Sequence, residues 1–408
     1  MRAVVIGGGI TGTLTGLALQ RAGWRVTLLE QAHLGAGSSS RTAAGIRQQF
    51  TSAATVRGMR YATAWYRDWA ATLPAGQRAI VPQGYLFLAE TDAGWEEAQA
   101  RVAAQRALGL HDVDALDADS LRRAFPWLAE DRFTGGSFCP SDGFLHPGVV
   151  YAEAANQLVE AGGTLRLRAP VVAAEHHADG RLRAVTTPEA SFEADVFVDA
   201  SNAWSPRLGA LLRATALPID PLRRVLWFLA RDADAMDAAT LRRMPLVVTP
   251  SGTYLRPENE DSVLLGHAHA ATPEPAFTMQ DQDLVPPELH HAGQADGLAI
   301  TAWMHAADAI PALGAFAGLT ATTAGYYATT PDHVPFLDRD PEIDNLIRLV
   351  GFSGHGAMFG PFSAAVAREL AASIAGPRPE VVTLPTGEVG LAEFRIGRTF
   401  DAKERLVI

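Results

Sequence analysis

The sequence predicts an α/β fold in which a doubly wound sheet is interleaved with an α+β unit built on a mainly antiparallel sheet. Three observations predict it. The opening thirty residues run strand, glycine-rich turn, helix, strand and acid. Apolar segments that can rejoin that unit return late, at 192–200 and near 351. Two stretches, 82–139 and 218–323, instead cluster strands beside helical material. With 408 residues the chain is long enough for two or three domains. The predicted division sets 1–81, 140–217 and 324–408 in one domain and 82–139 and 218–323 in the other.

Residues 3–6 form a short apolar strand ending in Gly7-Gly8-Gly9-Ile10-Thr11-Gly12. Residues 13–21 read as a helix, with Leu14, Leu17, Ala18 and Leu19 at helical spacing and Gly23 as its stop. A second strand at 25–29 ends in Glu30. Gly7 permits the tight turn. Gly9 lets the backbone N–H groups at Ile10 and Thr11 approach a pyrophosphate, and Gly12 lets the helix sit close to the strand. Glu30 stands where a carboxylate accepts from ribose hydroxyls. The pattern predicts a Rossmann-like dinucleotide site and does not by itself separate NAD from FAD.

The following segment, from Gln31 through Gly37-Ser38-Ser39, resembles the glycine/serine extension of FAD-dependent oxidoreductases, in particular the D-amino-acid oxidase and sarcosine oxidase family. Short Gly and Ser residues bring donors to a pyrophosphate. Ser141-Asp142-Gly143-Phe144-Leu145-His146-Pro147, ahead of a predicted helix at 148–161, looks like the family's re-entry into the cofactor domain. Strands at 164–167 and 171–174 follow, and the resemblance sets Val171 and Val172 beside the adenine. The strand at 192–200 closes in Ser201-Asn202-Ala203-Trp204-Ser205, similar to the family's "AAGAWS". Ser201-Asn202 replaces the usual Ala-Gly, a departure that bears on local hydrogen bonding and not on the fold. Gly351-Phe352-Ser353-Gly354-His355-Gly356-Ala357-Met358, before a helix expected at 361–375, resembles the "GFSGHG" flavin motif. Its segment Gly354 to Met358 would offer N–H donors and a helix dipole to a reduced flavin. Tyr326 to Pro335 resembles the "T-P-D" segment, with His333 as a turn residue. Together these imply a Rossmann-like FAD-binding domain of the D-amino-acid oxidase (DAO) type, interleaved with a substrate domain.

Ala44-Gly45-Ile46-Arg47-Gln48-Gln49-Phe50 resembles the sarcosine oxidase/dehydrogenase branch, in which an arginine here holds the substrate carboxylate and Ala44 and Gly45 lie at the cofactor. A guanidinium suits the task because it pairs bidentately with carboxylates. Tyr254 and Arg256, on one side of a substrate-domain strand, and His355 complete the catalytic candidates. Against the family, Met358 and Leu264 stand where lysines would be, Gly325 where a cysteine links the flavin, and no His occupies 38–41. The resemblance thus implies non-covalent FAD and a substrate bulkier or less polar than sarcosine. The expected reaction is hydride transfer to flavin N5 from the carbon beside nitrogen in an amino acid or secondary amine. The imine then hydrolyses, and oxygen or another acceptor takes the electrons. Two other readings share the cofactor motifs: an FAD-dependent 2-hydroxy acid dehydrogenase with His267 or His355 as base, and a non-catalytic FAD-containing assembly protein.

The charge balance of 34 Lys+Arg against 45 Asp+Glu, net −11, shows no basic stripe and argues against nucleic-acid partners. The lone Cys139 excludes an internal disulfide. No metal site is expected: the His176-His177 and His290-His291 pairs are adjacent, and His267 and His269 lack a nearby carboxylate cluster. No stretch reaches the ~18 apolar residues of a membrane span, and the start lacks a signal-peptide core. The expectation is a soluble, cytoplasmic enzyme. Residues 268–294 read as loop or short helix, and the oligomeric state stays open.

Overall fold

A computed structural model describes residues 1–267, 298–401, 403, 404 and 406. Most of the expected 268–294 loop, with His269 and the His290-His291 pair, lies outside them.

Arg2–Ile6 and Arg25–Leu29 pair in parallel at the centre of a six-stranded sheet. Its order is Phe336–Arg339, Leu346–Val350, Val196–Asp199, Arg2–Ile6, Arg25–Leu29, Thr164–Arg166. All neighbours are parallel except the edge strand Phe336–Arg339. Successive side chains of a strand face opposite ways, so Ala3 and Val5 join one core while Val4 and Ile6 join another. On the first face the helices Ile10–Arg21, Pro147–Glu160 and Gly356–Ala372 pack together around Leu14, Leu17, Leu158 and Phe362. Each such fully buried leucine or phenylalanine contributes roughly 1.5–3 kcal/mol through lost hydration. On the second face, Leu182 and Val185 of a small antiparallel sheet cover Val4 and Leu29.

The other domain is an eight-stranded sheet, ordered Gly318–Thr329, Asp220–Ala230, Ser262–His267, Thr253–Asn259, Leu246–Val248, Tyr85–Ala89, Gly135–Cys139, Asp114–Asp117. Only Tyr85–Ala89 with Leu246–Val248 is parallel. Alternation again divides it. Val225, Trp227, Leu229, Val263 and Leu265 pack against Ala299, Ala302 and Ala306 of helix Leu298–Ala309. Leu226, Tyr254 and Leu264 form the opposite, inner face with Tyr85, Phe87 and Val248.

Three boundaries differ from expectation. Strand Gly318–Thr329 pairs along its length with Asp220–Ala230, so a domain boundary at 323/324 would cut one ladder; we propose the same division with that junction moved to 329/330. The strand expected at 171–174 runs Ala173–His176, because Pro170 has no N–H for a ladder. The helix expected from 361 begins at Gly356 with Pro361 inside it. Pro361 leaves the Ala357 carbonyl without its usual donor, and the Tyr66 hydroxyl donates to that carbonyl at 2.7 Å. Among the described residues no helix is long and apolar enough to cross a membrane.

Candidate active site

A groove of about 870 Å³ opens at the carboxyl ends of Arg2–Ile6 and Arg25–Leu29 and extends to the start of helix Gly356–Ala372. Gly7, Gly9, Ile10, Thr11, Glu30 and Gln31 line it, as do Gly37, Ser38, Ser39, Val171 and Val172. Ser201, Trp204, Gly354, Gly356 and Ala357 complete the predicted residues that it brings together. Five others lie elsewhere. Gly12 is packed under the first turn, where a Cβ would fall 1.9 Å from the Gly7 carbonyl oxygen. Ala44 and Gly45 turn away because Gly45 pairs with Phe144 in a small sheet. Met358 points from its helix into the core with Phe352 and Phe359, and His355 lies beneath the groove against Arg47.

The groove is pre-set by short-range bonds. Glu30 accepts from Gly8 N at 2.7 Å through one oxygen and from Ala32 N at 2.8 Å through the other, which fixes the carboxylate. Ile10 N donates to Ser39 Oγ at 3.1 Å, joining the Gly/Ser loop to the helix start. The first-turn N–H groups of that helix have no intrahelical acceptors. Asn202 adopts φ +49°, a left-handed conformation that Asn tolerates better than most residues. Its Oδ1 accepts from Gly351 N at 3.1 Å and Phe352 N at 3.3 Å. The departure from glycine therefore clamps one cofactor loop to the other. Asn202→Ala should lose both acceptors and strain the turn, destabilising the protein by about 1–3 kcal/mol; comparing melting temperature and FAD dissociation constant with Asn202→Gly checks this.

Sequence reasoning missed what lies behind that loop. Arg348 is fully buried, with Nε 2.9 Å from Asp199 Oδ2, Nη1 2.9 Å from Asp340 Oδ2, and Nη2 donating to Ser205 Oγ at 2.7 Å. Asp199 Oδ1 in turn accepts from the N and Oγ of Ser201. The only signal was charged residues inside otherwise apolar strands.

On the substrate side, Arg47 is completely buried and stacks 3.9 Å above Phe50. Its Nη1 donates to the Gln49 carbonyl, and its Nη2 donates to the Leu406 carbonyl and to His355 Nε2, 3.2 Å away. Burial and the neighbouring Arg47 charge push the His355 pKa well below its ordinary value, so the ring is neutral and accepts at Nε2. The unfolded chain takes this proton first as pH falls, so the histidine is a source of stability loss below about pH 6.5 and neutral above it. Relative to His355→Gln, the protein should lose up to about 1.4 kcal/mol per pH unit below that point. Denaturant midpoints at pH 7.5 and 5.5 measure it, and a constant difference between the two proteins would contradict it. Asp142, buried nearby, has its pKa pushed up to about 6 by desolvation, while donors from Gln48 and Gln49 favour its charged form.

Arg256 does not reach the groove. Its Nε donates to the Ala43 carbonyl at 2.7 Å, its Nη1 lies 2.7 Å from Glu258, and its guanidinium covers the Phe144 ring. Tyr254 shares its face and belongs to the inner apolar layer. His267 belongs to the opposite parity from Leu264 and bonds Thr253 Oγ1 at 2.9 Å on the helix side. Among the described residues no group of three His, Cys, Asp or Glu is placed to hold a metal.

The groove fits FAD. Its first end has free helix-start donors and a fixed acid suited to a pyrophosphate and ribose. Its second end has the glycine-rich start of helix Gly356–Ala372, a donor-bearing positive dipole end for an electron-rich ring. A Rossmann-like sheet that joins both ends in one groove, under an antiparallel roof, defines an FAD-binding oxidoreductase. The family model described as FAD dependent oxidoreductase (DAO) matches residues 2–370, and the chain belongs to that family. It is 26% identical to peroxisomal sarcosine oxidase of Homo sapiens, covering 97% of this chain and 95% of that one. It is 23% identical to glycine oxidase of Geobacillus kaustophilus, over 90% and 91% of the two chains. Among solved structures, L-proline dehydrogenase from P. horikoshii superposes with a TM-score of 0.81 at 25% identity, over 94% and 95%. FAD is the cofactor of this enzyme.

Proposed function

We propose that this enzyme oxidises the C–N bond of an amino acid or an N-substituted amine to an imine, which water hydrolyses. The observation that carries this reading is the inner face of the eight-stranded sheet. Tyr85, Phe87, Leu226, Val248, Tyr254 and Leu264 make an apolar roof, and the Arg47 guanidinium lies 5.4 Å from the Phe87 ring centroid. Such a wall suits an apolar side chain, and guanidinium charge near it suits a carboxylate. The names of the relatives, sarcosine oxidase, glycine oxidase and L-proline dehydrogenase, support the same class.

FAD, when bound, accepts the hydride. The chain's own work is to hold the amine neutral and dry, and to fix the reacting carbon. No base is required of it. His267 faces the helix side and His355 Nε2 is engaged by Arg47, so the hydroxy acid reading loses the two bases it named. Leu264 in the roof and Met358 in the core supply no cation, which favours an acceptor other than oxygen. A single cysteine in 408 residues supports a cytoplasmic setting.

Non-covalent FAD is supported at Gly325, where a Cβ would lie 2.6 Å from the Arg41 carbonyl oxygen. Gly325→Cys should therefore lower stability and leave the flavin extractable; acid precipitation, with the colour in the supernatant for both proteins, checks it. The function is tested by product analysis with N-methyl, cyclic, D- and L-amino acids beside 2-hydroxy acids. Release of a 2-oxo acid with an amine from the first group is expected. Turnover of hydroxy acids alone would reverse the assignment.

A further inference from the structure

The roof carries a second guanidinium. Arg224 lies on strand Asp220–Ala230 opposite Gly325. It shares the inner face with Leu226, two residues on, because side chains of a strand alternate. Its guanidinium carbon sits 5.5 Å from the centroid of Tyr327, a ring that lines the groove. Tyr327 also hydrogen-bonds Tyr254, so Arg224 stands at the edge of a tyrosine pair facing the reaction side of the roof.

Arg224 and Arg47 differ in what they have left to give. Arg47 spends Nη1 on Gln49 and Nη2 on Leu406 and His355, and its plane lies on Phe50. Arg224 has no hydrogen bond or ion pair among the described residues, and its Nε is buried without an acceptor. A buried donor left without an acceptor is costly, and guanidinium groups at such depth are almost always paired. The nearest cation, His333, is half-buried and also has a buried ring nitrogen, Nδ1, without a partner. The acids close by are already committed: Asp332 takes both Nε and Nη2 of Arg398, and Glu404 accepts from the N–H groups of Thr51 and Ser52. The missing acceptor is therefore external.

We propose that Arg224 is the residue that holds the substrate's carboxylate, with the apolar part of the substrate lying along Leu226, Leu264 and Tyr254. Arg47 is then a positioning residue that fixes His355 and the floor of the site. This rests on the reading of the site as one for amino acids. It goes further in naming which arginine meets the acid.

The test reads binding and so is independent of turnover. The yellow holoenzyme is titrated with benzoate and, separately, with neutral benzamide, following the change in flavin absorbance. Arg224→Gln should weaken benzoate roughly 10- to 100-fold, the worth of a charge-assisted pair, and leave benzamide within about two-fold. Arg224→Lys should recover part of the loss. Equal weakening of both probes, unchanged benzoate affinity in Arg224→Gln, or no benzoate binding by the unmodified enzyme would each overturn the assignment. If Arg224 behaves as stated while no amino acid is oxidised, the anion site stands and the proposed reaction falls.

Discussion

Gly12→Ala should give a protein that emerges from purification colourless. The added methyl would sit 1.9 Å from the Gly7 oxygen and 3.0 Å from its carbonyl carbon. Both are backbone, so no rotamer change relieves the clash. The helix must move off the strand, and with it the N–H groups of Ile10 and Thr11 that face the groove. Overpacking of this kind costs about 3 kcal/mol or more, and the displaced helix start loses the pyrophosphate site besides. The ratio of flavin to protein absorbance measures the second effect and the melting temperature the first. Full retention of FAD by Gly12→Ala would contradict the helix-on-strand packing.

Arg348→Met should be the most destabilising side-chain substitution. It strands Asp199 and Asp340, two carboxylates that are fully enclosed and share one guanidinium. Leaving buried charges unpaired costs about 3–5 kcal/mol. The effect also reaches function, because Asp199 holds Ser201 and Arg348 holds Ser205, either side of the loop that lines the groove. Chemical denaturation should show the loss, and FAD affinity should fall with it. Replacing Asp340 and Arg348 together, by Leu and Met, should recover part of the stability, since the charge pair leaves as a unit. Identical midpoints for the single and double variants would contradict the pairing.

The cofactor half of the site was legible because its chemistry is backbone chemistry. Glycines, a helix start and an acid are forced into sequence order by the turn that they build, and Gly7 to Thr11, Glu30 and Gly354 to Ala357 all meet in one groove. The substrate half was harder, because its residues meet through sheet topology. Arg256 and Arg224 both sit on roof strands and look alike in sequence. Only the packing shows that Arg256 is consumed by Ala43 and Glu258 while Arg224 is not. Met358 was assigned to the flavin by its place in a motif, but the helix begins two residues before it, at Gly356. That phase turns its side chain into the core. The start of that helix was obscured by Pro361, since a proline usually marks a first turn and here Tyr66 supplies the bond that lets it sit further in.

The most direct measurement is the anaerobic absorbance spectrum of the purified protein during addition of amino acids with apolar side chains and their N-methyl forms. The account predicts a yellow protein whose colour is lost on mixing with at least one of them and returns when an electron acceptor is admitted. A colourless protein that takes up no FAD when offered it would contradict the account at its root.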